Sequence, residues 1–341
     1  MTGRGALFTR REYLEPLELS GCVGPHNGWI PAPLRTAAAQ MPHCYEKSHS
    51  WGEFVFDFEF ANAYAQRGLR YYPKLVCAVP FTPVPGPRLT AQNDADRLEL
   101  AAAMKEKVAA RKFSGAHILF LPPEEVATLE PHGWLHRQQL RYAWRNRGYC
   151  SFDEFLAQLP GKQRRNIRRE RRIIAESGFE ILWRAPAELS DTDWRAVFEL
   201  YAGTYHARGQ EPYLNLDCLR AWGRNFPDAM LLCLARRRGE LAAMAFFFRD
   251  DEALYGRHWG ARAQYNALHF ELCYYQGIAY CIEQGLQHFD AGVQGEHRLL
   301  RGFEPQMSHS AHWFAHEGFH TAIGGLFRHE RAALEELAQE E

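Results

Sequence analysis

Between Phe289 and Pro305 the chain reads Phe-Asp-Ala-Gly-Val-Gln-Gly-Glu-His-Arg-Leu-Leu-Arg-Gly-Phe-Glu-Pro. The stretch is too polar and too rich in glycine to be packing material. Glu296 and His297 stand together between Gly295 and Arg298, beyond a short strand expected over His288 to Ala291. A carboxylate and an imidazole at the end of a buried strand form an acid–base pair, able to take a proton from a bound nucleophile. Gln294 and Arg301 flank them as substrate-binding side chains. The plainer reading of Glu296 is an ion pair with a neighbouring arginine.

Other residues could share that chemistry. His269 and Glu271 open a helix expected from Leu268 to Gln284, where backbone N–H groups attract a phosphate or carboxylate, although Glu271 also suits simple capping. Both join Glu296 and His297 as candidate catalytic residues. His49 and Glu53 are four apart, a metal-capable spacing on a helix, but their surroundings read as strand or loop, so they are assigned to substrate binding and no metal site is expected. Arg88, in a rigid proline-rich loop before a helix N-terminus, is a candidate for a pyrophosphate; Lys74 and Arg257 complete the substrate-binding set. His309, His312, His316 and His320 are spaced for one helix face, yet Ser308 to Phe314 reads as a strand, which scatters them.

From Lys162 to Arg172 the chain carries seven basic residues against one acid. A solvated helix face explains most such runs. The scarcity of acid here also fits phosphate or RNA contacts by Lys162, Arg164, Arg165, Arg168 and Arg169. There is no Gly-x-Ser-x-Gly elbow, no glycine-rich nucleotide fingerprint and no Walker motif, which disfavours a serine nucleophile and ATP-dependent ligation.

Elements that must position these groups follow from periodicity. In the first half, Glu53 to Phe60 alternates like a half-buried strand or the lead into a helix at Ala61 to Arg67. Tyr71 to Phe81 reads as a buried strand, Asp94 to Lys112 as a helix, His117 to Leu121 as a strand and His136 to Trp144 as another; residues 1–40 read as irregular. The second half gives a strand at Phe179 to Trp183, helices to Ala207 and over Leu216 to Asn225, and a hairpin turning at Arg238-Gly239. The strand Ala253 to Trp259, the long helix, the strand at His288 and a last strand at Ala311 to Phe314 follow. One strand, two helices, three antiparallel strands, a helix and further strands is the order of a Gcn5-related N-acetyltransferase (GNAT) unit. The expectation is an α/β chain of two GNAT-like domains with mixed sheets: 1–150, trimmed, and 151–341, opening with the basic helix.

The totals set bounds. A chain of 341 residues exceeds one comfortable core, and 46% hydrophobic residues suffice for two. A net charge of −1 argues against coating a polyanion or membrane by bulk electrostatics. Eight cysteines without a Cys-x-x-Cys pair, no signal-like N-terminus and no apolar run long enough to span a bilayer suggest buried thiols and a cytoplasmic protein.

Several motifs in order resemble one family. They are Glu46-Lys-Ser-His-Ser-Trp-Gly-Glu-Phe-Val-Phe-Asp57, Tyr71-Tyr-Pro-Lys-Leu75, Ala78-Val-Pro-Phe-Thr-Pro-Val84 with Gly86-Pro-Arg-Leu89, Leu268-His-Phe-Glu271, Cys273-Tyr-Tyr-Gln-Gly-Ile278, and Gln294-Gly-Glu-His297 with Arg301-Gly-Phe303. Together they resemble the bacterial N-acyltransferases of peptidoglycan biosynthesis or recognition, relatives of the FemABX peptidyltransferases. The resemblance implies transfer of an acyl or aminoacyl group from acyl-CoA or aminoacyl-tRNA, as co-substrate and not as a resident cofactor, to a small-molecule or peptide amine in a cleft between the domains. It makes tRNA a candidate partner. A non-catalytic protein that binds a cell-wall precursor or RNA through the cleft and the basic helix is the rival from another class. Residues 29–45 look shorter than the family's usual strand hairpin.

Overall fold

A computed structural model describes residues 4–292 and 295–340, and all of their side chains except those of 296 and 337–340. Two compact units emerge. One comprises residues 1–140 with 307–341, the other residues 141–306. This corrects the expected division at 150. The chain leaves the first unit, builds the second, and returns.

The return has a physical cause. Residues of the Glu304–Phe314 strand pair antiparallel with the fully buried strand Gly115–Leu121, from His309 opposite Leu121 to Phe314 opposite Gly115. The closing helix Glu317–Glu340 then seats Ile323 and Phe327 against Phe60, Tyr64 and Tyr71. Burying a phenylalanine such as Phe327 contributes about 1.5–3 kcal/mol, which holds the terminal segment to the first unit. The strand expected at Ala311 to Phe314 is present, but it belongs to the first unit rather than the second.

In the first unit the strands lie in the order Trp29–Pro31, Cys44–Lys47, Lys74–Cys77, Gly115–Leu121, then the Glu304–Phe314 strand and the first half of Leu135–Arg145. Lys74–Cys77 and Gly115–Leu121 are parallel, joined through the helix Asp94–Arg111. Asn93 caps that helix by accepting the Asp96 N–H at 3.0 Å. Residues 4–40 are more ordered than their composition suggests: Arg11–Leu19 is a helix that buries Tyr13, Leu14 and Leu17 despite Pro16. Glu53 to Phe56 is loop rather than strand, and the helix starts at Phe58.

The second unit follows the expected order. Phe179–Arg184 is a strand, Asp191–His206 and Leu216–Asn225 are helices, and Met230–Arg237, Glu240–Arg249 and Ala253–Ala261 form an antiparallel meander. His288–Asp290 pairs parallel to Ala253–Tyr255 on one side and antiparallel to Ala143–Arg145 on the other. The basic run lies in the helix Gly161–Glu176. Its apolar face, Ile167 and Ile174, joins the core of this unit.

A buried polar hub organises the first unit. Lys74, with no exposed surface, donates to Ser50 Oγ and Glu53 Oε2 at 2.8 Å each and to Asp57 Oδ2, which also accepts the Tyr71 hydroxyl at 2.7 Å. The neighbouring Lys74 charge and these hydrogen bonds outweigh burial and hold Asp57 below the usual carboxylate range; burial dominates at Glu53 and pushes it up to about 7. Replacing Lys74 by Met strands both acids. The expected loss of stability is about 3–5 kcal/mol at neutral pH. It should grow as pH rises from 5 to 8, because carboxyls with raised folded-state pKa keep protons that the unfolded chain releases. Chemical denaturation across that range measures both effects; a loss that shrinks with rising pH would contradict the assignment.

Candidate active site

The second unit contains a polar cavity of about 100 Å³ where two parallel strands part. Ala253–Ala261 runs beside His288–Asp290 for only three residue pairs, up to Tyr255 opposite Asp290, and then continues without that neighbour. Register against the adjacent strand also slips between Phe246 and Phe247, leaving Arg257 as the extra residue of a β-bulge between Gly256 and His258. A bulge bends its strand and re-aims its side chain. Arg257 accordingly lines the cavity.

A helix closes the other side. It begins as Leu268–Phe270, passes through a π-turn at Glu271–Tyr275 and resumes as Gln276–Gln284. Such turns insert one residue and recur at functional sites. This one directs Cys273 and Tyr274 to the cavity, while Tyr275 donates to Glu170 Oε2 in the core. His269 also lines the cavity, its ring edge-on to Trp259 and Tyr274 at 5.2 and 5.5 Å. Burial, reinforced by the His297, Arg298 and Arg301 charges, lowers its pKa to about 4, so it is a neutral imidazole at pH 7.

The stretch beyond Asp290 supplies the remaining groups. Gln294 and the side chain of Glu296 lie outside the described residues. His297 is exposed, and its Nε2 lies 2.9 Å from the Tyr274 hydroxyl. Gly295 sits at φ 117°, and a Cβ there would stand 2.3 Å from the His297 ring, so only glycine lets the loop lie against it. Partial burial and then the Arg298 and Arg301 charges lower the His297 pKa. Arg298 is buried, ties down the Ala291 and Gly292 carbonyls at 2.7 and 2.5 Å, and points Nε at the Tyr274 hydroxyl from 3.5 Å. Tyr274 lies within the Cys273–Ile278 motif, but nothing in the sequence separates it or Arg298 from core residues; the π-turn that aims Tyr274 at the cavity is a tertiary feature.

Several expected site residues serve structure instead. Arg301 is buried and fully used: it donates to both Glu170 carboxylate oxygens at 2.9 and 3.1 Å, to the Tyr275 hydroxyl at 3.0 Å and to the His297 carbonyl at 2.9 Å, and lies 3.5 Å over the Phe270 ring. Arg88, also without exposed surface, donates to the carbonyls of Leu119, Gly86 and Val84 and holds no free face for a pyrophosphate. Lys74 and Glu53 belong to the buried hub. His49 bonds the Asn27 carbonyl through Nε2 at 2.9 Å and accepts the Trp51 N–H through Nδ1. Glu271 is buried outside the cavity wall, bonded to Gln276 at 2.8 Å and 3.3 Å from Arg171. His309 contacts His136, and His312 contacts His117, so the four late histidines share no face.

On the Gly161–Glu176 helix the single acid of the basic run, Glu170, is the residue that turns inward to Arg301. Lys162, Arg165, Arg168 and Arg169 are exposed; Arg164 is half-buried and reaches the Ala157 carbonyl at 3.2 Å.

A family model described as peptidoglycan biosynthesis/recognition, FemAB-like, matches residues 1–341. The chain belongs to the FemAB-like family. Solved structures repeat its fold at low identity. FemX is 10% identical over 94% of this FemAB-like chain and 95% of its own, with a TM-score of 0.56. The L-PGS of Bacillus licheniformis is 12% identical over 75% and 82%, at 0.51. The C-terminal domain of a putative lysylphosphatidylglycerol synthetase from Agrobacterium fabrum is 10% identical over 73% and 80%, also at 0.51. No curated protein sequence matches. The fold is thus a mixed α/β arrangement shared with FemX, as the expected α/β class requires.

Two variants separate structure from surface. Arg301→Met, which strands the buried Glu170, should cost about 3–5 kcal/mol. Arg165→Met on the exposed face should change stability by no more than about 0.5 kcal/mol. Urea unfolding compares them, and equal losses would contradict the roles assigned.

Proposed function

We propose that the protein is an N-acyltransferase that moves an acyl or aminoacyl group from acyl-CoA or aminoacyl-tRNA to an amine, with the reacting centre in the cavity beside Tyr274. The observation that carries this reading is the Tyr274–His297 contact at the point where the two parallel strands separate. Family membership supports it, because the family is described by peptidoglycan biosynthesis or recognition.

The geometry suits direct attack. An amine must lose a proton to become nucleophilic, and a neutral imidazole takes it. His297, with its pKa lowered, is in that form at pH 7. The amine nitrogen forms the new C–N bond and the donor's C–S or C–O bond breaks. Tyr274 supplies the proton that the leaving sulfur or oxygen needs, and His297, protonated by the amine, restores it through their shared hydrogen bond. Burial pushes the Tyr274 hydroxyl up, which keeps it protonated and able to donate. Arg298 Nε and Arg257 put positive charge at the wall where the oxyanion develops.

Covalent catalysis is the weaker choice. Cys273 lines the cavity, but burial pushes its thiol up strongly, so it holds no thiolate at neutral pH. A cavity of about 100 Å³ takes a reacting acyl group and not a whole carrier. Phosphates of either carrier suit the exposed basic face of the Gly161–Glu176 helix.

His297→Ala and Tyr274→Phe should each lower kcat about 10²- to 10⁴-fold with the fold retained, whereas Cys273→Ser should stay near wild type. The wild-type acid limb of kcat/KM should fall below pH 6.5, since the imidazole loses activity only when protonated, and should vanish in His297→Ala. Initial rates with an acyl or aminoacyl donor and an amine test this. An unchanged rate in both His297→Ala and Tyr274→Phe would sink the reading.

A further inference from the structure

We propose that the Trp51–Phe58 face of the first unit is a docking site for a lipid bilayer carrying anionic headgroups. Trp51, Phe56 and Phe58 are 51%, 51% and 38% exposed, large values for rings of this size in one short segment. The Phe58 ring lies 5.5 Å from that of Trp51 and 6.4 Å from that of Phe56, so the three form one patch.

The loop beneath cannot fold the rings away. The Trp51 carbonyl accepts from Trp29 Nε1 at 3.2 Å and from Lys47 Nζ at 3.3 Å. Gly52, at φ 82°, lies against Phe81, and a Cβ there would be 2.6 Å from that ring. Phe54 is held at φ 61°, a left-handed conformation that a phenylalanine adopts only when its surroundings impose it. Ser50, Glu53 and Asp57, interleaved with the rings in sequence, are all bound by Lys74. A loop fixed at this many points, with its aromatic side chains facing water, is built for contact.

The surrounding charge indicates what it contacts. After the Phe58–Gln66 helix, Arg67, Gly68, Leu69 and Arg70 are all exposed, Leu69 at 39%. The chain then returns through Tyr72, whose hydroxyl lies 2.8 Å from Ser50 Oγ, next to Trp51. Exposed aromatic and leucine side chains with two exposed arginines in the same segment, against Glu59 as the one exposed acid of residues 51–70, match the apolar boundary and anionic headgroups of a bilayer. A stable protein partner needs about 800 Å² from each side, more than three partly exposed rings offer. Among the described residues no helix is long and apolar enough to cross a membrane, so the contact is peripheral.

Sedimentation of the full chain with vesicles tests the proposal, using phosphatidylglycerol mixed with phosphatidylcholine against phosphatidylcholine alone at about 0.1 M salt. The wild type should partition onto the mixed vesicles. Combined Trp51→Ser, Phe56→Ser and Phe58→Ser should weaken partition at least about tenfold without lowering the thermal midpoint, since the rings are exposed. Arg67→Gln and Arg70→Gln should each weaken it about fivefold, and more salt should reduce the difference. Transfer to a soluble amine should be unaffected, which keeps this test separate from the acyl-transfer reading. No binding to either vesicle, or equal binding by the triple variant, would overturn the proposal. So would self-association in velocity sedimentation, lost in the triple variant and unaccompanied by vesicle binding, since it would assign the face to a second copy.

Discussion

Glu170 and Arg301 are 131 residues apart in sequence, and the second unit depends on their meeting. Neither charge is tolerable in a core alone, and the attraction between them repays burial only when the remaining donors and acceptors are satisfied. Here they are. Tyr275 donates to the carboxylate, and the guanidinium also reaches a tyrosine hydroxyl, a backbone carbonyl and the face of Phe270. One ion pair thereby fastens the basic helix to the π-turn and to the short Glu296–Arg301 helix. Because Arg298 and His297 sit on that short helix, and Tyr274 on that turn, the position of the groups proposed to react follows from a contact outside the proposed chemistry.

The first unit uses the same device differently. Lys74 is surrounded by Ser50, Glu53 and Asp57, and the result is a rigid loop with its aromatic side chains turned outward. In both units a buried cation gathers distant or looping segments, and the side chains so displayed are available for recognition. Arginine serves where several flat hydrogen bonds must be met at once; lysine serves where three acceptors converge on a point.

Much of this was legible in the sequence, and the failures have physical causes. The helices over Leu216–Asn225 and Leu268 to Gln284 and the hairpin at Arg238-Gly239 follow from local periodicity and turn chemistry, and the structure keeps them. Of the residues singled out in the sequence, His269 and Arg257 line the cavity, and His297 contacts Tyr274 in its wall. What sequence could not reveal was partnership. Arg88 and Arg301 look like anion-binding residues in their loops, but carbonyls and a carboxylate far along the chain claim them. Tyr274 was invisible because a π-turn, stabilised by tertiary contacts, decides which tyrosine of the Tyr274–Tyr275 pair faces the cavity. The division into units failed because long-range strand pairing, not composition, returns residues 307–341 to the first unit.

Family membership limits the chemistry, and the mechanism proposed within it is attack by an amine with no covalent stage on the protein. A single-turnover reaction with an isotopically labelled acyl or aminoacyl donor and saturating amine, quenched and analysed by mass spectrometry, tests this most directly. The account predicts label in the amide product and none on the polypeptide at any time. Label accumulating on Cys273 before the amide forms would contradict it.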